Sequence, residues 1–238
     1  MSLRIALVTG ASRGIGRAIA LRLAEDVSGV AVHYFSRRDE AQAAAAAIRE
    51  KGKLAAVFRA DLTKKAQAVG LVKKVEERFG RLDVLVNNVG PFLVKRWDQL
   101  EVADWERVLR GNLLGSYFCM KAALPGMRKR KWGRIVNIGY SRAEHLGAFP
   151  TIAPYAVAKT GLLTLTRTAA AAEVVNGITV NMVSPGLIRG GALPAMKNVQ
   201  EAQLGTFEDV AEAVGYCVSD EAAAVTGSNV IVSGTWKM

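Results

Sequence analysis

Tyr155 and Lys159 stand four residues apart in the run Tyr155-Ala156-Val157-Ala158-Lys159. On a helix this spacing puts both side chains on one face, so the ammonium can lie against the phenol. An isolated tyrosine titrates near ~10 and is a poor base at neutral pH, whereas a fixed positive charge beside it favours the phenolate. The pair is a device for moving a proton. Tyrosine and lysine at this spacing are also common as plain surface neighbours, so the chemistry depends on what the rest of the chain sets beside them.

The segments before the pair supply a setting for it. Ile5-Ala6-Leu7-Val8 is an unbroken apolar run, as expected for a strand buried on both faces of a parallel sheet. It leads into Thr9-Gly10-Ala11-Ser12-Arg13-Gly14-Ile15-Gly16, after which Ile15, Ile19 and Leu23 recur at helical spacing. A strand, a glycine-rich turn and a helix N-terminus make an anion site. The glycines let the backbone approach a pyrophosphate, and the unpaired N–H groups of the helix face it. The spacing is GxxxGxG and departs from the commoner GxGxxG fingerprint.

A second apolar strand is expected over residues 30–35, closing with Ser36-Arg37-Arg38. In a dinucleotide fold an acidic residue near this point holds the ribose 2′-hydroxyl of NAD, whereas a basic one accommodates the 2′-phosphate of NADP. Arg37 and Arg38 favour NADP(H), with Arg13 leaning the same way; two solvated arginines ahead of an alanine-rich helix are the alternative. Further strands are expected at 55–59, 84–86, 134–138, 179–183 and 230–232. Helical stretches separate them: one ending near Phe79, a long one through Trp105 and Lys121, and one from Tyr155. This rhythm implies a single-domain Rossmann-type α/β fold over residues 1–238, a doubly wound parallel sheet with helices on both faces.

Ligands in such sheets bind where the carboxyl ends of strands diverge, which singles out Thr9, Arg37, Asp61, Asn87, Ser141 and Pro185. Asp61-Leu62 could receive an adenine amine, or Asp61 could cap a helix. Asn87-Asn88-Val89-Gly90 could brace backbone beside a cofactor.

Composition narrows the classes. Thirty-two basic against twenty-one acidic side chains give a net charge of +11, which calls for an anionic partner. Dispersed charges, the lack of a recognition motif and 7% aromatics argue against nucleic acid. Cys119 and Cys217 lie far apart without a Cys/His cluster, so no metal site or disulfide framework is expected. No apolar run reaches membrane-spanning length and no signal peptide is legible, so a cytoplasmic location and no membrane partner are expected.

The series Thr9-Gly10-xxx-Gly14-x-Gly16, Asn87-Asn88-x-Gly90, Asn112, Tyr155-xxx-Lys159 and Pro185-Gly186 resembles the short-chain dehydrogenase/reductase family over nearly the whole chain. The runs 105–138 and 214–227 are most similar to its 3-oxoacyl-(acyl-carrier-protein) reductases. The resemblance implies that NADPH lies across the strand ends, against Gly10, Ser12, Arg13, Gly14, Ile15, Gly16, Arg37, Arg38, Asp61, Leu62, Asn88, Gly90, Pro185, Gly186 and Ile188. It implies that Tyr155 delivers a proton to a substrate carbonyl. Lys159 would lower the Tyr155 pKa and hold the nicotinamide ribose, and Asn112 would anchor a water in a proton relay. The family's substrate-binding serine should follow the fifth strand. Here Tyr140 takes that place and Ser141 comes one later; Ser141 is favoured over Tyr140. His145 reads as a loop or substrate-mouth residue.

Two departures accompany these matches. Arg189 and Gly190 stand where relatives carry an acid and a threonine that helps hold the cofactor, and the substrate lid, about 187–205, is short. The basic run Arg128-Lys129-Arg130-Lys131, with Arg134, would dock an acidic acyl carrier protein by the same resemblance, or be a charged helix end favoured by its dipole. Asn176 stands where such relatives can carry a further basic docking residue. A homotetramer through the helices carrying Cys119 and Tyr155 is likewise implied.

Overall fold

The computed structural model describes residues 3–191 and 204–234. Among them, strands Ile5–Val8 (β1), Gly29–Tyr34 (β2), Leu54–Arg59 (β3), Val84–Asn87 (β4), Gly133–Ile138 (β5), Ile178–Pro185 (β6) and Asn229–Val232 (β7) form one sheet. Its order is β3-β2-β1-β4-β5-β6-β7 and every pairing is parallel. The helices are Gly14–Leu23 (α1), Arg38–Glu50 (α2), Lys65–Phe79 (α3), Val102–Leu109 (α4), Gly115–Arg130 (α5), Ala153–Glu173 (α6) and Phe207–Val218 (α7). The expected elements are present, with strand ends displaced by one or two residues.

The apolar runs follow from burial on both faces. Ala6 and Val8 pack with Ile19 and Leu23 of α1, Ile48 of α2 and Val214 of α7. Ile5 and Leu7 point the other way, onto Val72 of α3 and Met120 and Met127 of α5. Neither side of the strand meets water, so alternation disappears. The alanine run expected to favour helix also serves packing, since Ala41, Ala44 and Ala45 let α2 approach the sheet.

From β1 the chain builds outward through β2 and β3, then crosses back to β4 on the other side of β1. Two loops therefore part at the carboxyl ends of β1 and β4, and Thr9 joins them. Its N–H donates to Val86 O at 3.0 Å, while its Oγ1 accepts from the Asn88 and Val89 N–H groups at 2.8 and 3.2 Å. The long helical region expected around Trp105 and Lys121 contains a π-helical turn, Arg110–Leu114, between α4 and α5. Such a turn inserts extra backbone into the helix and is frequent at functional sites. It carries Asn112.

At the amino edge of the sheet, opposite the crevice, Asp83 is fully buried. It accepts from the Ile5 N–H at 2.9 Å, from Arg81 at 2.7 and 2.8 Å and from Arg130 Nε at 3.0 Å. Arg128 closes an ion pair on the buried Glu173, and Lys131 donates to Asn176 Oδ1 at 3.1 Å. Arg134 is buried at the start of β5, its guanidinium 4.4 Å from the Trp132 ring. Among the described residues no helix is long and apolar enough to cross a membrane, and no group of three or more candidate side chains could hold a metal ion. Both cysteines are buried and free.

Removing the charge of Asp83 takes the shared carboxylate from two half-buried arginines. Asp83→Asn is expected to lower the unfolding free energy by about 3 kcal/mol, as for a broken buried ion pair. Urea denaturation checks this, and an unchanged midpoint would show the cluster to be dispensable.

Candidate active site

Two clefts open at the carboxyl edge and share Ile15, Asn88, Gly90 and Gly191 in their walls. The larger, about 820 Å³, extends over the ends of β1, β2 and β3. Gly10 and Gly14 adopt φ of +63° and +53° there, open to glycine at little cost. Gly16 lies so close beneath the turn that an added Cβ would collide with the Gly10 carbonyl and sit 2.5 Å from Asn88 Nδ2. Asn88 Nδ2 in turn donates to Thr9 O at 2.9 Å. The first turn of α1 thus faces the cleft through bare backbone, as a pyrophosphate requires.

This cradle fits a dinucleotide, and the sequence-derived residues can be placed on it. Gly10, Ser12, Arg13, Gly14, Ile15, Gly16, Arg37, Asp61, Leu62, Asn88 and Gly90 line the cleft. Arg37 sits on the rim, paired with Glu40 at 2.7 Å. Arg38, beside it, is exposed and lies outside the lining of both clefts. It is the first residue of α2, after the Arg37 cap. Asp61 Oδ1 accepts from Thr63 N at 3.0 Å and Thr63 Oγ1 at 2.6 Å. Since α3 begins only at Lys65, Asp61 closes a turn ahead of the helix and is not its cap.

His33 is a cleft residue that the sequence reasoning passed over. It is buried on β2; its Nδ1 accepts from the Gly10 N–H at 3.0 Å and its Nε2 lies 3.1 Å from Ala60 O. Those partners require the neutral ring with its proton on Nε2. Burial pushes its pKa down to about 4, which keeps it neutral and the glycine turn anchored. The available signal was a polar residue inside an otherwise apolar strand.

The smaller cleft, about 380 Å³, contains Tyr155, Lys159, Ser141, Tyr140, Pro185, Gly186 and Ile188. Tyr155 lies in the first turn of α6, which Pro154 opens with φ already set for helix. The Phe92 ring stands edge-on to it at 4.9 Å and the Tyr140 ring at 5.6 Å. Lys159 is buried; its ammonium donates to Ile138 O at 2.6 Å and lies 5.6 Å from the Tyr155 ring centre. Burial pushes the Lys159 pKa down to about 7.

The expected lowering of the Tyr155 pKa is reversed in this geometry. Burial, reinforced by Tyr140, holds the phenol well above its ordinary range. Desolvation outweighs the Lys159 ammonium, which lies 5.6 Å from the ring centre. At neutral pH Tyr155 is therefore a proton donor.

Ser141 is positioned by its own N–H, which donates to Pro185 O at 3.0 Å. Its Oγ is buried without a hydrogen-bond partner among the described residues. Gly186 passes so near β7 that a Cβ would meet Ser233 Cβ at 2.5 Å, which accounts for glycine there. Ser141 and Tyr140 both reach the pocket, the Tyr140 hydroxyl facing the Arg142 guanidinium.

Asn112 is held back from both clefts. Its Nδ2 donates to Pro91 O at 2.9 Å and Val108 O at 3.1 Å, while its buried Oδ1 abuts Gly90 with no partner. It braces the loop after β4 from behind. His145 is exposed beside a third cleft that borders Ser141. The lid expected over 187–205 falls largely on residues 192–203, outside the described residues. Leu187 and Ile188 precede it, buried, and Phe207 beyond it packs against Gly14 and Gly190.

The site thus presents a protonated phenol, a neighbouring ammonium and an uncommitted hydroxyl at the end of a dinucleotide cradle. Residues 10–236 match the model of a family described as enoyl-(acyl carrier protein) reductase. A 3-oxoacyl-(acyl-carrier-protein) reductase of Staphylococcus epidermidis is 36% identical over 96% of this chain and 97% of its own length. A D-beta-hydroxybutyrate dehydrogenase of Rhizobium meliloti is 31% identical over 98% of both. Among solved structures, a metagenomic blue fluorescent protein in complex with NADPH superposes with a TM-score of 0.90 at 32% identity, covering 99% of this chain and 98% of its own. The chain belongs to the short-chain dehydrogenase/reductase family and is an oxidoreductase acting on CH–OH and C=O groups.

Proposed function

We propose that the protein is an NADPH-dependent carbonyl reductase whose substrate is a 3-oxoacyl thioester, carried by acyl carrier protein or coenzyme A. The observation that carries this reading is the orphaned Ser141 Oγ in the same pocket as the protonated Tyr155 phenol: two O–H groups line the cleft that a carbonyl would enter. A bound NADPH supplies the hydride. Ser141 holds the substrate oxygen, and Tyr155 gives it a proton as charge develops. Lys159 opposes the negative charge left on Tyr155. Arg13 and Arg37 receive the 2′-phosphate at the rim of the large cleft. Asn112 holds the Gly90 loop, and its unpartnered Oδ1 takes the water of the proton relay from Lys159.

The substrate class draws support from the reductase relatives and from shape. Beyond Ser141 the pocket is continued by a cleft of about 880 Å³, which has room for the arm of a thioester. The match of one family model to residues 10–236 supports one catalytic domain. A cytoplasmic homotetramer completes the reading. The exposure of Leu114, Tyr117 and Val157 on the α5–α6 side supports that assembly, since apolar groups there invite cover. The carrier-docking role of the basic run is weakened, because Arg128, Arg130 and Arg134 are engaged structurally at the far edge of the sheet.

With a 3-oxoacyl thioester, Tyr155→Phe is expected to lower kcat/KM by about 10²–10⁴-fold, while NADPH still quenches protein fluorescence. Equal NADPH consumption by both proteins would remove Tyr155 from the mechanism. Lys159, with its pKa lowered to about 7, is charged below that pH and neutral above it. The reductive kcat/KM should therefore fall as pH rises through about 7, and Lys159→Arg should move that limb upward. A profile unaffected by the substitution would sink the assignment. Arg37→Asp should weaken NADPH about tenfold or more relative to NADH, in keeping with loss of a charged hydrogen bond. Arg38→Asp should change that ratio far less, and a reversed ranking in titrations would reassign the phosphate site.

A further inference from the structure

Arg142 occupies the loop between the two candidate hydroxyls and the third cleft, and the catalytic reading gives it no part. The backbone on either side of it is held by three hydrogen bonds. The Ser141 N–H donates to Pro185 O at 3.0 Å, the Ala143 N–H to Tyr140 O at 2.8 Å, and Thr160 Oγ1 of α6 to Ala143 O at 3.1 Å. The guanidinium lies 5.0 Å from the centre of the Phe149 ring, and that ring stands against Tyr140 at 6.2 Å. Arg142 lines the catalytic pocket together with Tyr140, Ser141 and Tyr155.

Among the described residues no carboxylate lies within ion-pair distance of this cation. The two carboxylates that line the adjoining cleft are committed elsewhere. Glu144 is paired with Arg167, and Asp209 accepts from the Thr206 hydroxyl at 2.8 Å. A planar guanidinium held against an aromatic ring keeps an edge of N–H donors for another partner, and a carboxylate matches that edge in shape and charge. The Tyr140 hydroxyl, which faces the same guanidinium, adds a donor. Both stand one ring away from the phenol that delivers the proton, since Tyr140 and Tyr155 are 5.6 Å apart.

We propose that Arg142 and the Tyr140 hydroxyl form a carboxylate subsite in the catalytic pocket, and that the protein reduces small free oxo acids as well as thioesters. The inference rests on the carbonyl-reductase reading and extends it to an anionic substrate class. In the reaction the ketone carbon gains the hydride and NADPH becomes NADP⁺. The ketone oxygen takes the Tyr155 proton, which solvent restores, and the carboxylate leaves unchanged.

Steady-state kinetics of wild type, Arg142→Gln and Arg142→Lys with 3-oxobutanoate and its methyl ester test the proposal. Wild type should prefer the acid. Arg142→Gln should lower the acid-to-ester ratio of kcat/KM at least tenfold, mainly through KM, and Arg142→Lys should recover part of it. A ratio unmoved by Arg142→Gln, or a wild-type preference for the ester, overturns the subsite. Calorimetric titration of the NADPH-loaded protein with 3-hydroxybutanoate decides the matter separately from turnover. Binding weakened at least tenfold in Arg142→Gln supports the subsite, and equal binding, or none to wild type, overturns it. If the 3-oxobutanoyl thioester is reduced and the free acid is not, the subsite is overturned while the reductase reading stands; if the thioester is not reduced either, the reductase reading fails and the titration alone judges Arg142.

Discussion

The seam between β1 and β4 is the constraint from which the rest of the site follows. A parallel sheet that grows in both directions from its first strand leaves two loops diverging at one edge, and their backbone groups have lost their ladder partners. Thr9 takes up these groups on one side and Asn88 on the other, each binding backbone of the opposite loop. With the seam fixed, the glycine turn can stay bare. His33 anchors the Gly10 N–H from the β2 side, so the turn is held by a strand on either flank. A pyrophosphate meets a surface whose donors already point outward, which limits the ordering cost of binding.

Burial sets the electrostatics of the catalytic pocket more than mutual attraction does. Tyr155 is made harder to ionise and Lys159 easier to discharge, each in the direction expected for a charge moved out of water. The Ile138 carbonyl orients the ammonium, and the aromatic walls from Phe92 and Tyr140 exclude solvent around the phenol. Such a pair resists carrying charge in the ground state. Charge arriving on a substrate oxygen therefore finds an environment where each interaction is stronger than in water.

Part of the basic run has a structural explanation at the amino edge of the sheet. Arg81 and Arg130 converge on the buried Asp83, and Arg128 holds Glu173 at the end of α6. These contacts tie α5 and α6 to the strands where the helices end, far from the chemistry.

The sequence by itself determined the strands, the glycine cradle, and the order in which Thr9, Asn88, Tyr155 and Pro185 return to one edge. Those features are local: burial on both faces removes alternation within a few residues, and a turn or a four-residue spacing is complete in itself. Only the tertiary structure decided that Arg37 lines the cleft while pairing with Glu40, that His33 anchors the turn, and that Asn112 braces Gly90 from behind. It alone turned the Tyr155 pKa upward and took Arg128 and Arg130 into ion pairs with partners 45 and 47 residues away. Charge and hydrogen bonding act through space at a few ångströms, and the residues that meet at that range are chosen by the packing of the whole sheet.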